Sequence, residues 1–297
     1  MKLKKLLVPV VILFVLAACK TGEKLALKLN YEKGKKYYYT SINTQEVEQS
    51  VMGKTIKSKT TTTTGYLWEV KDIDKDGNFL VTITYDKVET KKEGEGADTP
   101  SPMKDDFMKG FSFDMVVTPK GKVKEIKGME KMMEMAMSAA MPDSVANDPS
   151  SKAMMEPVKE MLKKQFSDKS MSSMMEQMTD YFPEGDVAVG DKWEKVVNMS
   201  AIMPMKITSN YTVKDIKDGI AIIEVEAKVE PGEGEAIMGM KVTLNGTQKG
   251  TMEINVKSGI IVKSTMDQTI DGTVGMMGMS FPMKISGQTT IEAKEVN

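Results

Sequence analysis

Methionine dominates the residues of this chain that could do chemistry. There are 29 in 297 residues, against seven leucines after residue 19. A thioether is a soft ligand suited to Cu(I). The pairs Met203/Met205, Met238/Met240 and Met277/Met279 would each set two sulfurs on one face of an extended strand. The same side chain is unbranched and deformable, and it lines adaptable apolar surfaces. A plain core would use the same spacing. Three readings therefore stand at this point: an ordinary core, an apolar ligand surface and an all-thioether copper site. The expectation carried forward is the apolar surface, with no metal and no cofactor.

Other chemistry is restricted by what the chain lacks. It has no histidine, and all 41 of its basic residues are lysine. The usual neutral-pH base and commonest metal ligand are missing, which removes Ser-His-Asp and Cys-His systems. The planar fork that best grips phosphate and carboxylate is missing as well. Asp72, Asp74, Asp76 and Gly77 imitate the start of an EF-hand loop, but the twelfth position is Ile83 where a bidentate glutamate is needed. A solvated hairpin turn is the expectation there. Glu224, Glu226 and Glu230 fall on the wet face of one strand pattern, and Ser58-Lys59 has no supporting motif. No catalytic residue is assigned, and the protein is expected not to be an enzyme.

Alternating patterns supply the elements that would hold these residues. Phe79, Val81, Ile83 and Tyr85 alternate with polar or smaller neighbours, as do Ile223, Val225, Ala227 and Val229. The Thr60–Thr64 run is β-branched and suits a strand. Between residues 128 and 182 the period becomes helical. The stripes are Met129/Met132/Met133/Ala136/Met137, Met154/Met155/Val158/Met161/Leu162/Phe166 and Met171/Met174/Met175/Met178/Phe182. Three short amphipathic helices are expected, with Met132, Met133, Met137, Met161, Met174 and Met175 lining a cavity. Words also recur in order: Val70-Lys71-Asp72-Ile73 and Val213-Lys214-Asp215-Ile216, then Asp76-Gly77 and Asp218-Gly219. Upstream, Gly34-Lys35-Lys36-Tyr37 matches Gly190-Asp191-Lys192-Trp193. Such ordered recurrence reads as an internal duplication.

The fold class expected is α+β: duplicated, mainly antiparallel β segments forming a curved sheet or half-barrel, with a Met-rich helical insert on the apolar face. The divisions expected are 1–18 signal peptide, 19–24 lipidated cysteine and tether, 25–127 first β half, 128–183 helical segment and 184–297 second β half.

The address is written at the start of the chain. Lys2, Lys4 and Lys5 precede an apolar run from Leu6 to Val15, the pattern of a secretory signal. That run contains Pro9 and is shorter than a spanning helix. Leu16-Ala17-Ala18-Cys19 resembles the lipobox of bacterial lipoproteins, which implies that Cys19, the only cysteine, is the lipidated first mature residue. Lys20 in place of aspartate implies, by the same resemblance, the outer membrane, with the periplasmic side favoured. Processing leaves 38 lysines against 42 acids, a net charge of −4 that offers no basic field for nucleic acid.

Lipobox, recurrent β words and the Gly190–Trp193 element together resemble uncharacterised lipoprotein families of Gram-negative bacteria. A curved one-sided sheet with helices on it is similar, in architecture only, to the lipoprotein-carrier and lipid-binding half-barrels of the bacterial envelope. The expected function is a non-catalytic outer-membrane lipoprotein holding a hydrophobic or lipid-like ligand. A structural or assembly lipoprotein and a Cu(I)-binding protein are the alternatives. The expected partners are the membrane, through the lipid, and that ligand.

Overall fold

The computed structural model describes residues 24–51, 53–95, 108–140, 159–160, 162–163, 166–199, 204–232, 241–276 and 279–297. In chain order the strands are β1 (Lys36–Val51), β2 (Lys54–Ile73), β3 (Phe79–Gly94), β4 (Ser112–Val117) and β5 (Val123–Lys127). Helices α1 (Met129–Ala140) and α2 (Asp168–Thr179) follow. Then come β6 (Lys192–Met199), β7 (Met205–Lys217), β8 (Ile220–Pro231), β9 (Lys241–Asn255), β10 (Ile261–Met276) and β11 (Met279–Val296). All eleven strands join one sheet in the order β5-β4-β3-β2-β1-β11-β10-β9-β8-β7-β6. The pairing of β1 with β11, from Lys36↔Val296 to Gln49↔Met283, fuses the two strand groups.

Each long strand has two chemically different ends. In β2, which is 20 residues long, Tyr66, Trp68 and Val70 are buried and alternate with less buried Leu67 and Glu69. This end, near the turns at Asp74–Asn78 and Gly219, holds the core and is called the base here. Toward the far end, Lys54–Thr64 is polar on both faces, and the β-branched threonines keep the strand extended. Salt bridges such as Lys57–Glu48 and Lys249–Glu226 cross between strands on the exposed face. Pairs this exposed contribute little to stability.

The sheet curls until its edges nearly meet. Eleven strands spaced about 4.8 Å apart would hold β5 and β6 roughly 48 Å apart if flat. Instead α2, a cylinder about 10–12 Å across, reaches both. On the β5 side, the Glu176 carboxylate accepts from the Val123 N–H at 3.2 Å and the Thr179 hydroxyl donates to the Gly121 carbonyl at 2.6 Å. On the β6 side, Lys195 donates to Asp180 at 2.8 Å and the Trp193 indole N–H donates to the Tyr181 carbonyl at 2.8 Å. A helix thus fills the seam and protects two edges that would otherwise invite strand addition. Ser167 starts α2 as its N-cap, and Met171 and Met175 face the core.

The recurrent sequence words correspond to recurrent geometry. Each of β2 and β7 carries a bulge at the same word, between Val70 and Asp72 and between Val213 and Asp215. Gly34 N–H donates to the Val70 carbonyl and Gly190 N–H to the Val213 carbonyl, each at 2.8 Å. The turns are packed crosswise. Gly121, between β4 and β5, abuts Thr179–Asp180 just before β6, whereas Gly259, between β9 and β10, abuts Lys28–Leu29 just before β1. Both glycines have positive φ (87° and 74°), and a Cβ there would fall 1.8–2.0 Å from a carbonyl oxygen. Glycine is required on both counts.

The expected α+β class, with a helical insert covering the apolar face, is therefore corrected. The fold is a mainly antiparallel β structure built on one continuous sheet. Two physical reasons account for the difference. Strands run on well past their apolar ends through polar alternation, which raises the β share. The curled sheet also covers much of its own concave face, leaving α2 the seam rather than a layer. Two helices of at least eight residues occur among the described residues. Most of the middle methionine stripe, including Met154, Met155, Val158 and Met161, lies outside them.

Candidate functional site: a cavity inside the curled sheet

A cavity of about 400 Å³ lies between the concave face and the C-terminal end of α2. Small-molecule pockets begin at about 300 Å³. Its floor is aromatic: Tyr39 and Tyr66 stack at 5.4 Å with planes 5° apart, and Trp68 packs on Tyr39 at 5.3 Å. Met252, Met266, Ile261 and Ile291 add apolar wall from β9, β10 and β11. Toward the far end the lining turns polar, with Asn43 donating to Thr289 at 2.7 Å and Gln248 to Gln268 at 3.4 Å. Exposed Gln177 on α2 brings the cavity to the surface.

Strand register explains why space exists here. The bulges align the first and second strand groups rung by rung. One rung reads Tyr37, Trp68 and Ile83 across β1, β2 and β3, and its counterpart reads Trp193, Tyr211 and Val225 across β6, β7 and β8. The next rung reads Tyr39, Tyr66 and Tyr85 in the first group but Lys195, Ser209 and Ala227 in the second. Three rings are replaced by one flexible and two small side chains. Of the three, Ser209 lines the cavity, and the volume a ring would take there is left open.

The polar groups of the site are unequally served. Tyr181 donates to the Gly259 carbonyl at 3.0 Å. The Tyr66 hydroxyl and the Trp68 indole N–H are buried and have no partner among the described residues. An unmet buried polar group costs about 1–3 kcal/mol. Burial holds the phenols of Tyr31, Tyr39, Tyr66 and Tyr181 well above their usual range and pushes Tyr211 up to about 12. They are neutral donors at any physiological pH. Asp180 is the only charged residue among the described residues lining the cavity, and Lys195, which also reaches Glu184, neutralises it.

The methionines expected on a lining fall elsewhere. Met132 and Met175 are buried in the main core, and Met174 packs against it. Met133 and Met137 are half-buried on α1. None of these five lines the cavity, and Met161 lies outside the described residues, as does Cys19. The methionines that do line it are Met178, Met252 and Met266. Of the strand pairs weighed for copper, Met205 sits opposite Met199 and Met279 opposite Met276; Met203, Met238, Met240 and Met277 lie outside the described residues. Sequence reading missed the tyrosines and Trp68. Their signal was present as an alternating aromatic pattern, Tyr37/Tyr39 and Tyr66/Trp68.

Among solved structures, lipovitellin, from "Lipid-protein interactions in lipovitellin", is 8% identical over 89% of this chain with a TM-score of 0.49. This chain spans only 25% of that one. The translocator domain of the autotransporter NalP from Neisseria meningitidis is 6% identical, covering 88% of this chain and 90% of its own, with a TM-score of 0.33. A DUF1329 family protein from Desulfovibrio piger is 11% identical, covering 89% and 85% respectively, with a TM-score of 0.19. No curated protein matches the chain. Residues 75–261, well over half of the chain, match the family of unknown function DUF6263, and the chain belongs to that family.

Proposed function

We propose that this protein is a non-catalytic, lipid-anchored binding protein of the bacterial envelope that holds a hydrophobic ligand inside its curled sheet. The observation that carries this reading is the cavity itself. Protein interiors pack densely and leave few voids larger than water. Here about 400 Å³ sits beside the aromatic core, walled by rings, methionine and isoleucine, with an approach past α2. The absence of catalysis is inferred from the lining chemistry. Its phenols are held neutral by burial, and the Asp180 carboxylate is engaged by Lys195. The anchor is inferred from the Leu16–Cys19 sequence, with the periplasmic side of the outer membrane as the proposed location.

Native mass spectrometry of the chain from Lys20 onward, exported and never denatured, tests the reading. Adducts of single-chain lipid mass are expected. A bare polypeptide that also takes up no added apolar probe would count against a binding role and favour a scaffolding one. Adducts of copper mass would move the site to the methionine pairs.

A further inference from the structure

We propose that the cavity selects an uncharged amphiphile whose hydroxyl or amide group is held by Gln248 and Gln268 partway up the wall. The proposal rests on the cavity reading and deepens it by naming the class of ligand and the side chains that sort it. Gln248 of β9 and Gln268 of β10 stand directly opposite each other in the sheet register, and both line the cavity. Both are half-buried, so their amides stay within reach of a guest. Gln248 Nε2 donates to Gln268 Oε1 at 3.4 Å, which places the two amides side by side. That bond leaves Gln248 Oε1 and Gln268 Nε2 without a partner among the described residues. Ser264, on the same face of β10 four residues nearer the base, lines the cavity at 5% exposure, and its hydroxyl is unpartnered among the described residues too. None of these atoms is sealed off as the Tyr66 hydroxyl and the Trp68 indole N–H are.

The surroundings keep the glutamines accessible. Residues two apart on a strand share a face, and the neighbours of Gln248 at that spacing are Gly246 and Gly250. Across the sheet, Gln268 is paired on its other side with Gly287. Three positions that would otherwise crowd the pair therefore carry no side chain, one of the settings in which a strand glycine marks close approach by another molecule. Apolar lining continues on both sides of the pair. Met252 and Ile261 lie toward the base, and Val197 and Ile207 lie one rung farther out. An amide side chain both donates and accepts, so the pair matches a group that does both without carrying charge. Asp180 is already engaged by Lys195, and an ionised head placed here would go uncompensated. The apolar chain then runs down the wall toward the aromatic floor.

The test is displacement of an apolar fluorescent probe from the chain beginning at Lys20, which contains every described residue. The competitors are 1-dodecanol, dodecanoate, dodecyltrimethylammonium and tridecane, at a pH where dodecanoate is ionised. In the wild type, 1-dodecanol should displace the probe at a concentration at least about tenfold lower than either ion. Gln248→Leu/Gln268→Leu removes both amides while keeping apolar bulk. It should weaken 1-dodecanol about tenfold, the worth of one or two hydrogen bonds, and leave tridecane unchanged. Gln268→Lys supplies a cation at the same spot and should turn the preference toward dodecanoate. Undiminished displacement by 1-dodecanol in the double Leu variant would overturn the glutamine assignment while leaving the cavity reading intact. Stronger displacement of the wild-type complex by either ion would overturn the uncharged class. No uptake of the probe at all would overturn both this assignment and the cavity reading beneath it.

Discussion

The two strand groups share a frame and differ in filling. β1, β2 and β3 and β6, β7 and β8 have the same bulge, the same glycine hydrogen bond and matching rungs at Tyr37/Trp68/Ile83 and Trp193/Tyr211/Val225. One rung farther from the base they part: Tyr39, Tyr66 and Tyr85 close the first group, and Lys195, Ser209 and Ala227 leave the second open. Backbone geometry conserves the sheet, and side-chain volume at a single rung decides whether it encloses a packed core or a cavity. The turns add a second lesson. Because Gly121 and Gly259 each dock on the segment leading into the other group, neither group closes its base alone.

The contrast can be broken most severely on the filled side. Tyr39→Ala should remove about 3–5 kcal/mol, the usual cost of deleting a buried ring, measured by urea unfolding. Its counterpart Lys195→Ala should cost less, about 2 kcal/mol. It loses the Asp180 pair, but the two side chains are still 11% and 16% exposed and water offsets part of the lost charge.

Filling the open side should trade binding for bulk. Ser209→Tyr, which gives the second group the residue of the first, should abolish probe uptake while costing about 1–3 kcal/mol of stability from overpacking. Probe titration and urea unfolding on the same sample separate the two effects.

Gly259→Ala and Gly121→Ala should destabilise comparably, because each drives a Cβ against backbone carbonyl oxygen. Gly77→Ala and Gly219→Ala, at positive φ but in open space, should cost only about 1 kcal/mol. Thermal melts of the four variants give the order.

Alkaline pH sharpens the contrast further. The folded chain holds the phenols of Tyr39 and Tyr66 above their unfolded range. Their stabilisation is complete below about pH 10 and is lost as pH rises through the folded values. Each contributes a slope of up to about 1.4 kcal/mol per pH unit above 10. The double variant Tyr39→Phe/Tyr66→Phe should show a visibly flatter decline between pH 10 and 11 than wild type. Smallest of all, Lys249→Ala on the exposed face should change stability by under about 1 kcal/mol, since its partner Glu226 is equally wet.

Much of the strand pattern was legible in sequence because burial on one face imposes a period of two, as at Phe79–Tyr85 and Ile223–Val229. The recurrent Val-Lys-Asp-Ile words were legible too, because a bulge needs a particular local sequence. What could not be read was the sheet's order. The β1–β11 pairing joins residues some 250 positions apart through stretches such as Gln45–Gln49 that carry no strong hydropathy signal. The place of α2 was hidden for a related reason: an amphipathic stripe says that one face is buried, not whether a sheet's face or its seam receives it. The site was missed because methionine stood out by abundance, whereas the deciding feature is a difference in volume between two rungs, visible only once register is known.

A ligand held in the cavity must occupy the space beside Trp68. The chain has two tryptophans, so Trp193→Phe leaves Trp68 as the sole emitter. Titrating that variant with a bromine-labelled methyl ester of a fatty acid reads contact directly, because bromine quenches indole only at close range. Saturable quenching at one ester per chain, abolished by adding Ser209→Tyr, is the predicted result. Binding of the ester with Trp68 emission unchanged would place the ligand elsewhere and overturn the cavity as its site.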